Sequence, residues 1–164
     1  GDWSSDVCSS DLQLRFGERV PNPFGDDGSE TTHWYHPRCG AFTRPEAFVE
    51  ALTAFEGALD ERESLLQAAA AGVAHHRLPR VRAAESAPTG RATCRHCKTL
   101  IAKGAWRLAL AYYEDGRFSP SGYIHIACAR GYLETTDILD RLRYFSPALS
   151  PEAVQDIERE ITRE

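Results

Sequence analysis

The sequence has no run of about 18 consecutive apolar residues, the length a helix needs to span a bilayer, so no membrane span is expected. No positively charged, apolar leader stands at its start, and no signal peptide is read there. Charge excess is small: 19 basic and 24 acidic residues give a net of −5 over 164 residues. That balance excludes a strongly basic or acidic chain and says little about partners. Cysteine is sparse at five residues, which fits a reducing, intracellular compartment better than a disulfide scaffold: cytoplasm or nucleoid in a bacterium, nucleus in a eukaryote. Also lacking are an activated nucleophile, an acid/base pair with pocket context and a phosphate-cradling glycine loop, so no enzyme is read. The length allows one ordinary domain or two small ones.

What the chain does have is Cys94-Arg-His-Cys97 followed by His125-Ile-Ala-Cys128, a C-x2-C…H-x2-C pattern with 27 residues between its halves. Zn²⁺ prefers four tetrahedral nitrogen or sulfur ligands, and a two-residue gap lets both members of a pair bend onto one ion. The pattern predicts a closed, structural Cys3His zinc site. A redox C-x-x-C normally follows an apolar strand and opens a helix. Here the polar Thr89-Gly-Arg-Ala-Thr93 precedes the pair, and the glycine-broken Lys98 to Gly104 follows it. The remaining alternative is a buried Cys128 beside an incidental His125.

Asp2-Trp-Ser-Ser-Asp-Val-Cys-Ser-Ser-Asp-Leu12 resembles the translation of a common sequencing-adapter oligonucleotide, and residues 1–12 are set aside from fold reasoning. Cys8 then needs no role, and dropping Asp2, Asp6 and Asp11 leaves 21 acids against 19 bases, a net of −2. Four cysteines remain, three in the zinc pattern and the fourth Cys39.

Residues 13–42 read as half of the later pattern. Leu14 to Val20 reads as a strand, Pro21 to Gly28 as a loop, and His33-Trp-Tyr-His36-Pro-Arg-Cys39 as a second H-x2-C. Trp106 to Tyr112, the loop Tyr113 to Phe118, and His125 with Cys128 repeat that order. If Arg15 corresponds to Arg107, the partners of Cys94 and Cys97 fall at positions 2 and 5, inside the adapter-like stretch. His36 and Cys39 are thus expected to be two ligands of an incomplete first zinc site, the alternative being a packed histidine beside a small apolar cysteine.

Residues 43–79 read as a helical connector, with Thr43 as the cap, Pro45 in the first turn, and Phe48, Leu52, Phe55, Leu59, Leu65 and Leu66 at mostly helical spacing to near Gly72. The stripe reads as core packing against the modules or a two-turn hairpin, or as a partner-binding face. His75-His76 reads as an exposed helix end, and Leu78 to Ala87 as a linker.

Between Arg80 and Tyr132 nine basic residues face three acids. With three thiolates on one Zn²⁺ contributing −1, the segment stays near +5, a footprint suited to phosphate contact. Tyr112, Tyr113 and Phe118, with Arg117 beside the last, interleave aromatic faces with that charge, as binding to an accessible DNA end or single strand would use. The same residues read equally as a solvated face with aromatics capping a small core.

Glu85 to Cys94, Cys97, Ile101-Ala-Lys-Gly104, Trp106-Arg-Leu108, Asp115-Gly116 and His125-x-x-Cys128 together resemble the zinc finger of poly(ADP-ribose) polymerases, found also in a DNA ligase and in short bacterial proteins. Leu14-Arg15, Pro23-Phe24, His33-Trp-Tyr-His36 and Cys39 resemble the second half of the same finger. The likeness covers about residues 13–42 and 82–132, and no polymerase catalytic region is included. It implies an α+β fold: a small zinc-stabilised finger at 80–132, with a small antiparallel sheet and helices, preceded by a truncated copy at 13–42. It also implies recognition of DNA breaks or ends, with Arg91 and Arg107 on the backbone and Phe118 stacking, Arg15 and Phe24 holding those places in the first copy. The sequence departs from the family where Ser119-Pro-Ser-Gly122 lengthens the loop and Tyr123-Ile124 replaces Trp-Tyr.

Residues 133–164 read as polar-faced helices. Thr136-Asp137 starts one carrying Ile138, Leu139 and Leu142, and Ser150-Pro-Glu152 is a strong second start. These helices are expected to cover one side of the finger. The function expected is zinc-dependent DNA binding at breaks or ends. The other reading is a zinc-stabilised protein-interaction module without end specificity, with a protein partner on the connector.

Overall fold

The computed structural model describes residues 14–163. The adapter-like stretch with Cys8, and with it positions 2 and 5, lies outside the described residues. These residues form an α+β chain with two small antiparallel sheets and six α-helices. They fall into two compact units, one formed by residues up to Ala74 with Glu114–Arg117, the other by His75–Tyr113 and the chain from Phe118 onward. No helix among the described residues is long and apolar enough to cross a membrane.

In the first unit, β1 (Phe16–Pro21) pairs antiparallel with β2 (Glu30–Tyr35), Phe16 standing opposite Tyr35. Side chains alternate across a strand, so Phe16, Glu18 and Val20 share one face. Phe16 and Val20 are buried, and Glu18 accepts two hydrogen bonds from Arg44, at 2.6 and 2.8 Å. Three helices follow: α1 (Pro37–Thr43), α2 (Pro45–Ala54) and α3 (Arg62–Ala74). The Phe16 ring packs on Tyr35 at 5.7 Å and on Phe48 of α2 at 5.4 Å.

One expectation changes here. Thr43 does not cap α2; it ends α1, where its hydroxyl donates to the Cys39 carbonyl at 2.6 Å, and Arg44 takes the cap position ahead of Pro45. The apolar stripe runs through two helices, α2 and α3. It breaks between Ala54 and Arg62, and its buried members Phe48, Leu52 and Leu65 pack α2 and α3 together and onto α1. His75-His76 follows α3, as expected.

In the second unit, β3 (Val81–Ser86), β4 (Trp106–Glu114) and β5 (Arg117–His125) form a sheet in that order. The segment read as a linker is therefore a short 3-10 turn, Leu78–Arg80, and a sheet strand, with Leu78, Val81 and Ala84 buried. A bulge between Val81 and Ala83 interrupts its pairing with β4. The segment read as a loop at Tyr113 to Phe118 is a tight turn. Asp115 and Gly116 carry φ of 51° and 75°, the two positive values that a two-residue hairpin turn matched to strand twist requires. Ser119 to Gly122 likewise belongs to β5 rather than to a longer loop, and Pro120 is tolerated there because β5 is an edge strand.

Three helices complete this unit: α4 (Ala129–Leu133), α5 (Leu139–Phe145) and α6 (Pro151–Thr162). The first of the two predicted starts moves, since α5 begins after Ile138 rather than at Thr136. The second holds: the Ser150 hydroxyl accepts from the Ala153 amide at 3.1 Å, Pro151 opens α6 and Glu152 lies in its first turn. Ala153, Ile157 and Ile161 recur every four residues and bury one face of α6, which packs on the turn Ile126–Cys128. That helix covers one side of the finger-like segment.

Gly40 on α1 tests the first unit. A Cβ there would meet the Phe16 ring at 2.6 Å and Phe48 at 3.1 Å. Gly40→Ala is expected to destabilise the unit by about 1–3 kcal/mol through overpacking. Urea unfolding followed by circular dichroism reads this directly, and an unchanged midpoint would contradict the packing described.

Candidate metal centre

The four predicted ligands come from three places. Cys94 and Cys97 lie in a tight loop in which the Cys94 amide donates to the Thr99 carbonyl at 2.8 Å and the Lys98 amide to the Cys94 carbonyl at 3.0 Å. Lys98 adopts a left-handed φ of 64° to close it. The Arg95 amide donates to the Tyr123 carbonyl at 2.8 Å, docking this loop beside the end of β5. His125 is the last residue of β5, and Cys128 ends the 3-10 turn that follows.

The structure brings all four together. The sulfurs of Cys94, Cys97 and Cys128 and a ring nitrogen of His125 lie within 4.8 Å of one another. His125 Nδ1 is 3.4 Å from the Cys97 sulfur and 3.9 Å from that of Cys128. Ligand atoms held tetrahedrally about one Zn²⁺-sized ion would be about 3.5–3.8 Å apart. His125 Nε2 lies 3.3 Å from the Leu100 carbonyl, to which its N–H donates, leaving Nδ1 as the ligand atom. The amides of His96 and His125 each point at the Cys94 sulfur at 3.4 Å. The group therefore fits a metal ion in donor type, number and spacing.

The electrostatics agree with that fit. Burial works to raise the Cys94 thiol, but the amides of Cys97, His125 and His96 outweigh it and leave it below its ordinary value. The Thr99 hydroxyl at 3.1 Å, then its amide, draw the Cys97 thiol down to about 6. Burial, then the negative charge of Cys94, push the Cys128 thiol up to about 12. Burial would lower His125, yet the hydrogen bond and charge of Cys94 prevail and raise it. Two sulfurs favour the thiolate, and the third resists first because it is buried and then because negative charge already occupies the site. A divalent cation removes that conflict.

His36 and Cys39 share the local geometry of His125 and Cys128. His36 has φ −59° and ψ 147°, His125 −61° and 148°. Cys39 Sγ lies 3.8 Å from His36 Nδ1, against 3.9 Å in the later pair. Each histidine stands at the end of a strand, His36 just after β2 and His125 as the last residue of β5, and caps the helical turn that follows.

The predicted DNA contacts are placed very differently from one another. Arg91 and Arg117 are exposed, as is Arg15, which lies ahead of β1. Phe24 is 91 % exposed in the turn between β1 and β2. Arg107, expected on a phosphate, is buried: it donates to Glu85 Oε1 at 2.9 and 3.2 Å and lies 3.5 Å over the Tyr123 ring. Glu85 stands directly opposite it in the β3–β4 register, so that charge is spent within the sheet. Phe118 is half-buried, its ring 4.7 Å from Tyr113 and 3.9 Å beneath the Arg82 guanidinium, so the place expected to stack on DNA is packed internally. Thr99 and the Leu100 carbonyl, which tune the sulfur and the histidine, went unremarked in the sequence. A hydroxyl two residues after the second cysteine is the signal that could have pointed to the first; a backbone carbonyl gives none.

Comparison of the sequence with protein-family models and with curated proteins found no match.

Removing one ligand should remove the site. With Zn²⁺ as the probe metal, loading is expected to stabilise the second unit, on the order of 10 kcal/mol of folding free energy being available from such a site. Cys94→Ala is expected to abolish this gain. Thermal melts with and without metal check it, and equal metal-induced shifts in variant and parent would contradict the assignment.

Proposed function

We propose that the chain is a DNA-binding module built on a structural Zn²⁺, of the poly(ADP-ribose) polymerase-type finger kind, and that it recognises DNA breaks or ends. The observation that carries this reading is the convergence of Cys94, Cys97, His125 and Cys128 beneath a loop edged with exposed cations. Three sulfurs and an imidazole nitrogen favour Zn²⁺ over harder ions, which take oxygen ligands. With four protein ligands no position is left open for catalysis, so the metal's role is to hold the loop.

That loop then presents Arg91, Arg95, Lys98 and Lys103, all exposed. These residues take the phosphate role in this reading, and Arg107, paired with Glu85, acts as a positioning residue that ties together the two strands flanking the loop. Leu100, 63 % exposed between Lys98 and Lys103, offers apolar surface for an exposed base pair. His36 and Cys39 are read as the surviving half of a first site.

The direct test is fluorescence-anisotropy binding of the zinc-loaded chain to a nicked duplex, challenged with closed circular DNA. Break recognition predicts that excess circle does not displace the nicked duplex. Equal competition would remove end specificity, and no binding to either DNA would favour the protein-interaction reading. Arg91→Ala is expected to weaken binding several-fold and to reduce the salt slope by about one; an unchanged affinity would remove Arg91 from the contact.

A further inference from the structure

Arg77, Tyr132, Arg80 and Tyr112 form a row of alternating guanidinium and phenol groups within the second unit. The Arg77 guanidinium lies 4.9 Å from the Tyr132 ring centroid and donates to the Tyr132 carbonyl at 3.2 Å. Arg80 donates to the Tyr132 hydroxyl at 3.3 Å and lies 5.2 Å from the Tyr112 ring centroid. The row is joined to the metal loop by His96, whose ring meets Tyr132 edge-on at 6.4 Å. A Cβ on Gly131 would sit 2.8 Å from that imidazole, so the loop and α4 are in close contact there.

The two arginines differ from Arg107 in what they do with their charge. Arg107 is neutralised by Glu85, whereas neither Arg77 nor Arg80 makes an ion pair among the described residues. Both are half-buried and held by tyrosine, which fixes their geometry without cancelling their charge. Tyr112 ends the row and is 45 % exposed. It follows Leu108 and Leu110 on the same face of β4, so it continues the apolar face of the sheet beyond the core.

We propose that this row binds unpaired nucleotides, so that a DNA end carrying a single-stranded extension is the preferred ligand of the second unit. The proposal rests on the DNA-end reading above and specifies its substrate. Fixed guanidiniums suit backbone phosphates, and an exposed ring backed by a cation suits base stacking, which is tolerant of sequence because every base has a π-face. Such a surface distinguishes an unpaired strand from a duplex, whose bases are already stacked on one another.

The zinc-loaded full chain is titrated with a labelled blunt duplex and with the same duplex carrying about ten unpaired nucleotides at one end. The extension is expected to bind about tenfold more tightly, Tyr112→Ala to bring the ratio of the two affinities to near one, and Tyr112→Phe to preserve it. Arg80→Ala is expected to lower the same ratio; should that variant fold poorly, the exposed Tyr112 still carries the test. Blunt binding with no preference for the extension, or a preference that survives Tyr112→Ala, overturns the proposal and leaves DNA-end recognition standing. Failure of the parent chain to bind either duplex overturns both.

Discussion

The meeting of three sulfurs and one imidazole nitrogen is the constraint on which the second unit depends. Between β3 and β4 the chain runs through a loop whose residues from Arg95 to Leu100 are all exposed, with Cys94 and Ile101 as its buried anchors. A loop with so little apolar content cannot order itself by burial alone. Its own hydrogen bonds shape the turn around Cys94, and the link from Arg95 to Tyr123 sets it beside His125. A metal ion across those four side chains would tie the loop, the end of β5 and the turn before α4 into one body, and α6 packs on that same turn. The exposed cations are then presented from a fixed frame, and that is the link from the site to the proposed function.

Both units resolve a similar electrostatic problem near a strand. Glu18 in β1 is met by the forked guanidinium of Arg44, and Arg107 in β4 by Glu85 across the sheet. Removing one partner of such a pair is costly because it strands the other charge away from water. These contacts therefore fix how strands and helices meet, and they withdraw Arg107 from the surface. The basic character available to a polyanion lies instead in the metal loop and in the Arg77–Tyr132–Arg80–Tyr112 row.

The clustering of Cys94, Cys97, His125 and Cys128 was legible in the sequence because metal ligation would impose both residue type and spacing. The last helix was legible for a similar reason: Ser150, Pro151 and Glu152 each satisfy a separate local requirement of a helix start. The strand β3 was not, because the bulge at Arg82 breaks the two-residue alternation that would betray it, and flanking prolines at 79 and 88 read as linker punctuation. The short helix α1 was hidden behind Pro45, which fits the start of α2 and drew the cap one residue early to Thr43. Arg107 and Phe118 were misplaced as surface residues because their partners Glu85 and Arg82 are distant in sequence and are brought near by sheet pairing. The buried Arg141 on α5, lowered to about 9 by burial and then by the charge of Arg82, carries no sequence signal. Charged residues advertise solvent, and tertiary contacts overrule that expectation.

The most direct test of the account is X-ray absorption spectroscopy at the zinc edge on the chain loaded with Zn²⁺. The structure predicts sulfur-dominated coordination, three sulfurs at about 2.3 Å and one nitrogen at about 2.0–2.1 Å, with no light-atom ligand left to water. A shell dominated by nitrogen and oxygen, or a sulfur shell that persists when Cys94, Cys97 and Cys128 are replaced, would contradict it.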